Sequence, residues 1–168
     1  MDTAQKTLLW KQFGAAIDML ENAITACPET LWSDTLQRPQ FSYMVFHTLF
    51  WLDLYLGGAV EGFEPPSPFN LDELDPAALY PETPHSKAAL LNYLEHGREK
   101  CRESIAGLTG AGATRPCTFR WGTVSFHELL LYNMRHVQHH AAQLNLILRQ
   151  QTNDATRWVG RARKELPA

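Results

Sequence analysis

The sequence predicts an all-α fold, a four-helix bundle with one long connection. Three observations carry that expectation. Apolar residues recur at helical rather than alternating spacing over four long segments, cap and stop residues bracket those segments, and six prolines crowd into one stretch between the second and third. At 168 residues the chain suits a single domain spanning 1–168, with enough length to bury a core.

Helix one is expected from Thr3 to Ala26. Leu9, Phe13, Ala16, Leu20 and Ile24 recur at spacings of three and four, the stripe of an amphipathic helix packed on a core. Cys27-Pro28 ends it, because proline disfavours helical geometry in the residue before it. Glu29 to Asp34 turn the corner, and Pro39 suits the first turn of helix two. From Phe41 to Leu52 that helix is apolar on nearly every face, as expected of one buried on most sides. Gly57-Gly58 supply a left-handed C-terminal cap. His47 sits in its middle, either as a lone buried histidine bonded to a backbone carbonyl or as a metal ligand.

The stretch from Gly62 to His85 holds Pro65, Pro66, Pro68, Pro76, Pro81 and Pro84, which leaves room for no more than a short turn around Asp75 to Tyr80. A connection this long within a compact domain reads as a crossover, a lid or a binding loop. Phe63, Phe69 and Tyr80 predict that it packs down on the bundle. Helix three starts near Ser86, a good N-cap, and turns Leu90, Leu94, Gly97, Cys101, Ile105 and Leu108 inward. Gly97 on that stripe predicts close approach of another helix, and His96, one step away, is placed at the surface or its margin. Gly107 and Gly110-Ala111-Gly112 end the helix. Thr118 to Thr123 then lead as an extended piece and a turn into helix four. Beyond that helix, Arg157, Arg161, Arg163 and Lys164 make a basic end of the kind that is usually solvated.

Helix four begins on Ser125 with Glu128 three residues later, the capping-box pattern, and meets no Gly or Pro before about Gln151. At roughly 100° per residue, Leu129, Asn133, His136, His140, Leu144 and Ile147 share one stripe. His140 falls near its centre, His136 near one edge and His139 ~60° further out, at the margin. Two imidazoles one turn apart can both reach one metal ion, or be core residues bonded to neighbours; two polar rings on an oily face each need a partner. With His47 as third ligand, the set His47, His136 and His140 would leave coordination positions open to water or substrate, the catalytic rather than structural arrangement.

The rest of the sequence narrows the function. A net charge of −3 argues against nucleic acid or an anionic membrane surface as the main partner. No apolar run spans a bilayer without polar interruption, and Met1 to Lys6 lack the apolar core of a signal peptide, so a cytoplasmic protein is expected. Cys27, Cys101 and Cys117 are odd in number, widely spaced and without a CxxC pair, and read as free thiols. No general base is evident. Asp53, six residues after His47, belongs to a different face as a polar residue at the helix end, and Glu128 is the cap partner. Tyr43, Tyr132 and Arg120 line a pocket or an ordinary interface. Asn133, one turn before His136, is either a group that orients a ligand or a residue hydrogen-bonded within the bundle. His139 and Gln143 are the other candidates for residues adjoining the ligands. Trp10, Leu130, Leu131 and Trp158 are candidates for a homodimer interface, unless the crossover and the C-terminal tail cover them.

The histidine in helix two, the H-x-x-x-H-x-x-Q-L pattern of His136, His140, Gln143 and Leu144, the helix order and the Phe-Glu-Pro-Pro-Ser-Pro-Phe crossover resemble the DinB-like family of damage-inducible bacterial proteins. The resemblance covers most of the chain. It implies an up-down-down-up bundle, often dimeric, with nickel or zinc held by three histidines, here His47, His136 and His140. His139 fits the family's doubled histidine, whose second member is the ligand. Ala142 stands where many relatives carry glycine, a difference that bears on packing rather than metal binding. Some relatives are metal-dependent transferases or isomerases that use low-molecular-weight thiols. Three readings follow: a metal-dependent thiol transferase or hydrolase acting on a small molecule, a non-catalytic metal-binding stress protein, and a metal-free helical interaction module.

Overall fold

The computed structural model describes residues 2–36, 38–75 and 83–167. Helix α1 (Thr3–Ala26) opens on Asp2, whose carboxylate accepts from the Gln5 N–H at 2.8 Å while Gln5 Oε1 accepts from the Asp2 N–H at 3.1 Å. This reciprocal cap satisfies two backbone donors that the first turn leaves open. A one-turn helix α2 (Glu29–Trp32) makes the corner. Helix α3 (Phe41–Gly57) starts two residues after Pro39, which therefore precedes the helix instead of lying in its first turn. Gln40 intervenes in extended geometry, with ψ of 133°, and its side-chain amide donates to the Thr35 carbonyl at 3.2 Å. Gly58 ends α3 at a φ of +82°, and a Cβ there would also meet the Arg115 guanidinium at 2.5 Å.

The crossover carries a 3-10 turn at Asp72–Leu74, just ahead of the expected turn at Asp75 to Tyr80. Most of that expected turn, with Tyr80, lies outside the described residues. Phe63 and Phe69 are buried as expected: Phe63 meets Phe50 edge-on at 5.3 Å, and Phe69 stacks on Tyr93 at 4.6 Å. Helix α4 (Lys87–Ala106) is capped by Ser86 and ends at Gly107. Gly110-Ala111-Gly112 do not extend that stop. They begin a short helix α5 (Gly110–Thr114), because Thr109 Oγ1 accepts from the Gly112 N–H at 3.0 Å and supplies a new N-cap. Strands β1 (Pro116–Phe119) and β2 (Gly122–Ser125) form an antiparallel hairpin pairing Cys117 with Val124 and Thr118 with Thr123. Helix α6 (Phe126–Thr152) follows, with Ser125 Oγ accepting from the Glu128 N–H at 3.2 Å.

Side-chain pairs fix the topology. Lys6 reaches Ala106 and Asp18 meets Arg98, so α1 and α4 are antiparallel. Phe46 lies against His85 while Asp53 bonds Lys100, so α3 and α4 are parallel. Asn133 donates to the Leu52 carbonyl and Tyr55 meets Tyr132, whereas His47 meets His140, so α3 and α6 are antiparallel. The result is the up-down-down-up bundle, an all-α architecture with one small hairpin. A Cβ on Gly97 would come within 2.9 Å of Leu52 Cδ2, the close helix approach expected there.

Three expectations about surfaces are corrected. The basic end is not simply solvated. It lies along α1, with the Trp10 indole N–H donating to the Lys164 carbonyl at 2.7 Å and the Ala162 N–H to the Lys11 carbonyl at 2.9 Å. Arg163 bonds Glu21 and Asn22, and Lys164 bonds Glu95 and Glu99, because acidic residues of α1 and α4 face the tail. Trp10 and Leu130 are buried within the chain and cannot form a dimer contact, while Leu131 and Trp158 are exposed. Asp53 is a fully buried core residue, charge-paired with Lys100 at 2.5 Å and accepting from Tyr93 at 3.1 Å, with the exposed His96 ring 3.4 Å away. Among the described residues no helix is long and apolar enough to cross a membrane.

Candidate metal centre

Antiparallel packing of α3 and α6 brings one histidine from the first against two, a turn apart, on the second. His47, His136 and His140 offer one nitrogen each, all within 4.8 Å of one another, and all three residues are half-buried. Ring centroids lie 5.4 Å apart for His47 and His136, 4.9 Å for His47 and His140, and 4.6 Å for His136 and His140. The wheel put His140 at the centre of the buried stripe. The structure centres that stripe on Asn133, Val137, Ala141 and Leu144 instead, because α6 packs against α1 as well as α3. The two histidines consequently stand on the α3 side.

The hydrogen bonds behind the rings assign their protons. His140 Nδ1 lies 2.7 Å from Gln143 Oε1, which can only accept, so Nδ1 carries the hydrogen and Nε2 presents a lone pair. His47 Nδ1 lies 2.5 Å from the carboxylate of Glu73, which again accepts, so in the neutral ring Nε2 is the nitrogen left with a lone pair. His47 Nε2 is 3.4 Å from His136 Nε2. That is long for an N–H donor, whose bonds span ~2.7–3.2 Å. The spacing is compatible with two ligands on one tetrahedral ion, since two nitrogens each ~2.0–2.1 Å from one ion would lie about 3.3–3.4 Å apart. With a limit of 4.8 Å across the set, an ion asks for at most ~1.5 Å of inward movement by one ring. The donor set therefore fits a zinc-like ion.

Burial is the main cause that pushes His136 down to about 3, reinforced by neighbouring His140, His47 and His139. Burial also holds His140 down to about 4, with His47 and His139 adding to it. Both rings are thus neutral, the form a metal requires, well below neutral pH.

The other sequence candidates divide. Gln143 is in contact with His140. His139 is exposed, its ring edge-on to His140 at 5.0 Å. Asn133 does not touch a ligand: its amide donates to the Leu52 carbonyl at 2.9 Å and ties α6 to α3. Tyr43 donates to Glu73 at 3.0 Å. Tyr132 stacks on Trp121 at 4.6 Å, and Arg120 is exposed at the hairpin turn. Sequence reasoning missed Glu73. Nothing local distinguishes Leu71-Asp72-Glu73-Leu74 from a solvated acidic turn, although the Glu73 side chain is only 5% exposed. Tyr55 and Trp51 complete an aromatic wall beside the histidines, 5.3 Å apart, with Tyr55 6.3 Å from His136.

Residues 12–144 match the family model of the DinB superfamily. The chain belongs to the DinB superfamily. The matched span contains all three histidines, the whole of α3 and α6 as far as Leu144. No curated protein matches the chain. Membership together with the cluster makes this a DinB-superfamily bundle with a three-histidine group compatible with a metal site. The tail that packs on α1 lies beyond the matched span.

Proposed function

We propose that this DinB-superfamily bundle is a metal-dependent enzyme in which His47, His136 and His140 hold one divalent transition-metal ion, zinc or nickel. Its open coordination positions would take a low-molecular-weight thiol or a small-molecule substrate. The observation that carries the reading is that one nitrogen from each of His47, His136 and His140 lies within 4.8 Å of the others, while Nδ1 of His47 and of His140 is engaged by Glu73 and Gln143 behind the ring. Bound there, such an ion would lower the pKa of a coordinated thiol or water and so supply a nucleophile near neutral pH.

The chain's own residues would bind, orient and exclude water. Gln143 holds the His140 ring, and the wall of Trp51, Tyr55 and Tyr132 keeps one flank apolar. Thiol transfer fits better than hydrolysis. Among the described residues Glu73 is the carboxylate in contact with the cluster, and it is already bonded to His47 and Tyr43, while Asp53 faces Lys100 instead. Hydrolysis gains from a free carboxylate base, whereas a thiol on a divalent metal deprotonates without one. The thiol would come from a small molecule, because Cys27, Cys101 and Cys117 are all buried. Burial pushes the Cys27 thiol up to about 12 and raises that of Cys101. A cytoplasmic homodimer belongs to the same reading, with Leu131 and Trp158 as its exposed apolar candidates.

Cobalt(II) substitution tests this reading. Visible absorption of the cobalt protein should show a low-symmetry nitrogen site, and added small thiols should generate a thiolate-to-cobalt charge-transfer band. A cobalt site whose spectrum ignores thiols would sink the transferase assignment; no cobalt site at all would sink the metal centre.

A further inference from the structure

Among the described residues the crossover sends one side chain, Glu73, to a histidine of the cluster. Glu73, on the 3-10 turn Asp72–Leu74, lies in a segment otherwise largely exposed, yet its carboxylate is nearly shut off from solvent. It faces three groups of α3: His47 Nδ1 at 2.5 Å, the Tyr43 hydroxyl at 3.0 Å and, at a long 3.4 Å, the Trp51 indole N–H. Burying a carboxylate is unfavourable unless it is fully bonded, and all three of these groups are potential donors. Glu73 cannot itself ligate an ion seated at His47 Nε2, because it occupies the opposite nitrogen of the ring.

The site is asymmetric. His140 is backed by a neutral amide, Gln143, whereas His47 is backed by a charge. We propose that Glu73 is a positioning residue for metal binding: its carboxylate fixes His47 as the Nδ1–H tautomer, aims Nε2 into the site and raises that nitrogen's donor strength. The role rests on the metal-centre reading above. It also ties the crossover to the site, so that docking of the turn and binding of the ion favour each other by the same factor. The competing account is a clamp that only pins the turn down on Tyr43 and Trp51.

Two readouts, on Glu73→Gln and Glu73→Ala, separate the accounts. Glutamine keeps the shape and can accept from or donate to Nδ1, but carries no charge. Titration with zinc alone should show affinity lower by roughly 10–100-fold, the usual loss when a ligand's outer partner is removed. The nitrogen spectrum of the imidazoles in metal-free protein should show His47 as one Nδ1–H tautomer in the wild type and a mixture in Glu73→Ala, which leaves Nδ1 without an acceptor. Glu73→Ala should also lose more zinc affinity than Glu73→Gln, and if it fails to fold, the zinc affinity of Glu73→Gln alone decides. Zinc affinity of Glu73→Gln within twofold of wild type, or a His47 tautomer unchanged in a folded Glu73→Ala, would overturn the proposal. If the wild type binds no zinc, the functional reading and the role in metal binding both fail, while the nitrogen spectrum still decides whether Glu73 sets the tautomer.

Discussion

His47 Nε2 on α3 stands 3.4 Å from His136 Nε2 on α6, too far for a good N–H bond and close to the spacing of two ligands on one ion. The Nδ1 of His136 is buried without a hydrogen-bond partner among the described residues. This ring therefore carries the cost of an unpaired buried nitrogen in the metal-free protein, and the proposed metal centre gives a reason for a histidine at this position.

His136→Leu should consequently abolish metal binding and raise the stability of the metal-free protein by ~1–3 kcal/mol, the penalty of an unpaired buried polar group. Denaturant unfolding of both proteins, stripped of metal, measures the change. A loss of stability would mean that the ring is a satisfied part of the core.

The depressed histidines set a pH dependence. In the unfolded chain both rings take protons near ~6.5. In the folded chain burial holds them neutral to about 4 for His140 and about 3 for His136. The unfolded state thus binds more protons between those limits, so metal-free stability is full above ~6.5 and falls as pH drops toward 3, with no slope from these rings above neutrality. For His136 the slope approaches ~1.4 kcal/mol per pH unit. Urea unfolding at a series of pH values, with the double Leu variant at His136 and His140 as reference, should show the slope reduced in the variant. Parallel profiles would contradict the assignment.

Gly97→Ala should destabilise the bundle by about 1–3 kcal/mol, because the new methyl meets Leu52 at 2.9 Å within a closely packed α3–α4 contact. Thermal unfolding reads this directly. A neutral result would mean that Leu52 turns aside freely.

The C-terminal segment should behave as part of the fold. Deleting residues 157–168 removes the bond from Trp10 to Lys164 and the bond from the Arg163 N–H to Asp18 at 2.8 Å, and re-exposes Trp10. The expected loss is at least ~2 kcal/mol from the tryptophan alone, with a red shift of its fluorescence. A truncated protein with wild-type melting and emission would show the tail to be dispensable.

What could be read from the sequence was what local physics decides. The limits of α1, the Ser86 and Ser125 caps and the left-handed stop at Gly58 follow from residues within a turn of each other. The pairing of His136 with His140 follows from helical spacing alone. Long-range choices were hidden. A helical wheel gives directions but not how many neighbours a helix has, so the stripe of α6 was centred on His140 rather than on Val137 and Ala141. Glu73 was invisible because its partner depends on the path of the crossover, and Arg163 and Lys164 looked solvated because their acids lie on α1 and α4, far away in sequence. Asp53 misled for the same reason, since Lys100 and Tyr93 arrive from another helix.

The most direct test is metal content per chain, by mass spectrometry on tag-free protein, for the wild type and for His140→Ala, with circular dichroism as the folding control. Near-stoichiometric zinc or nickel in the wild type, lost sharply in a still-folded variant, is the expected result. A wild-type protein that holds no metal, even after incubation with zinc or nickel, would contradict the account and leave a metal-free helical bundle.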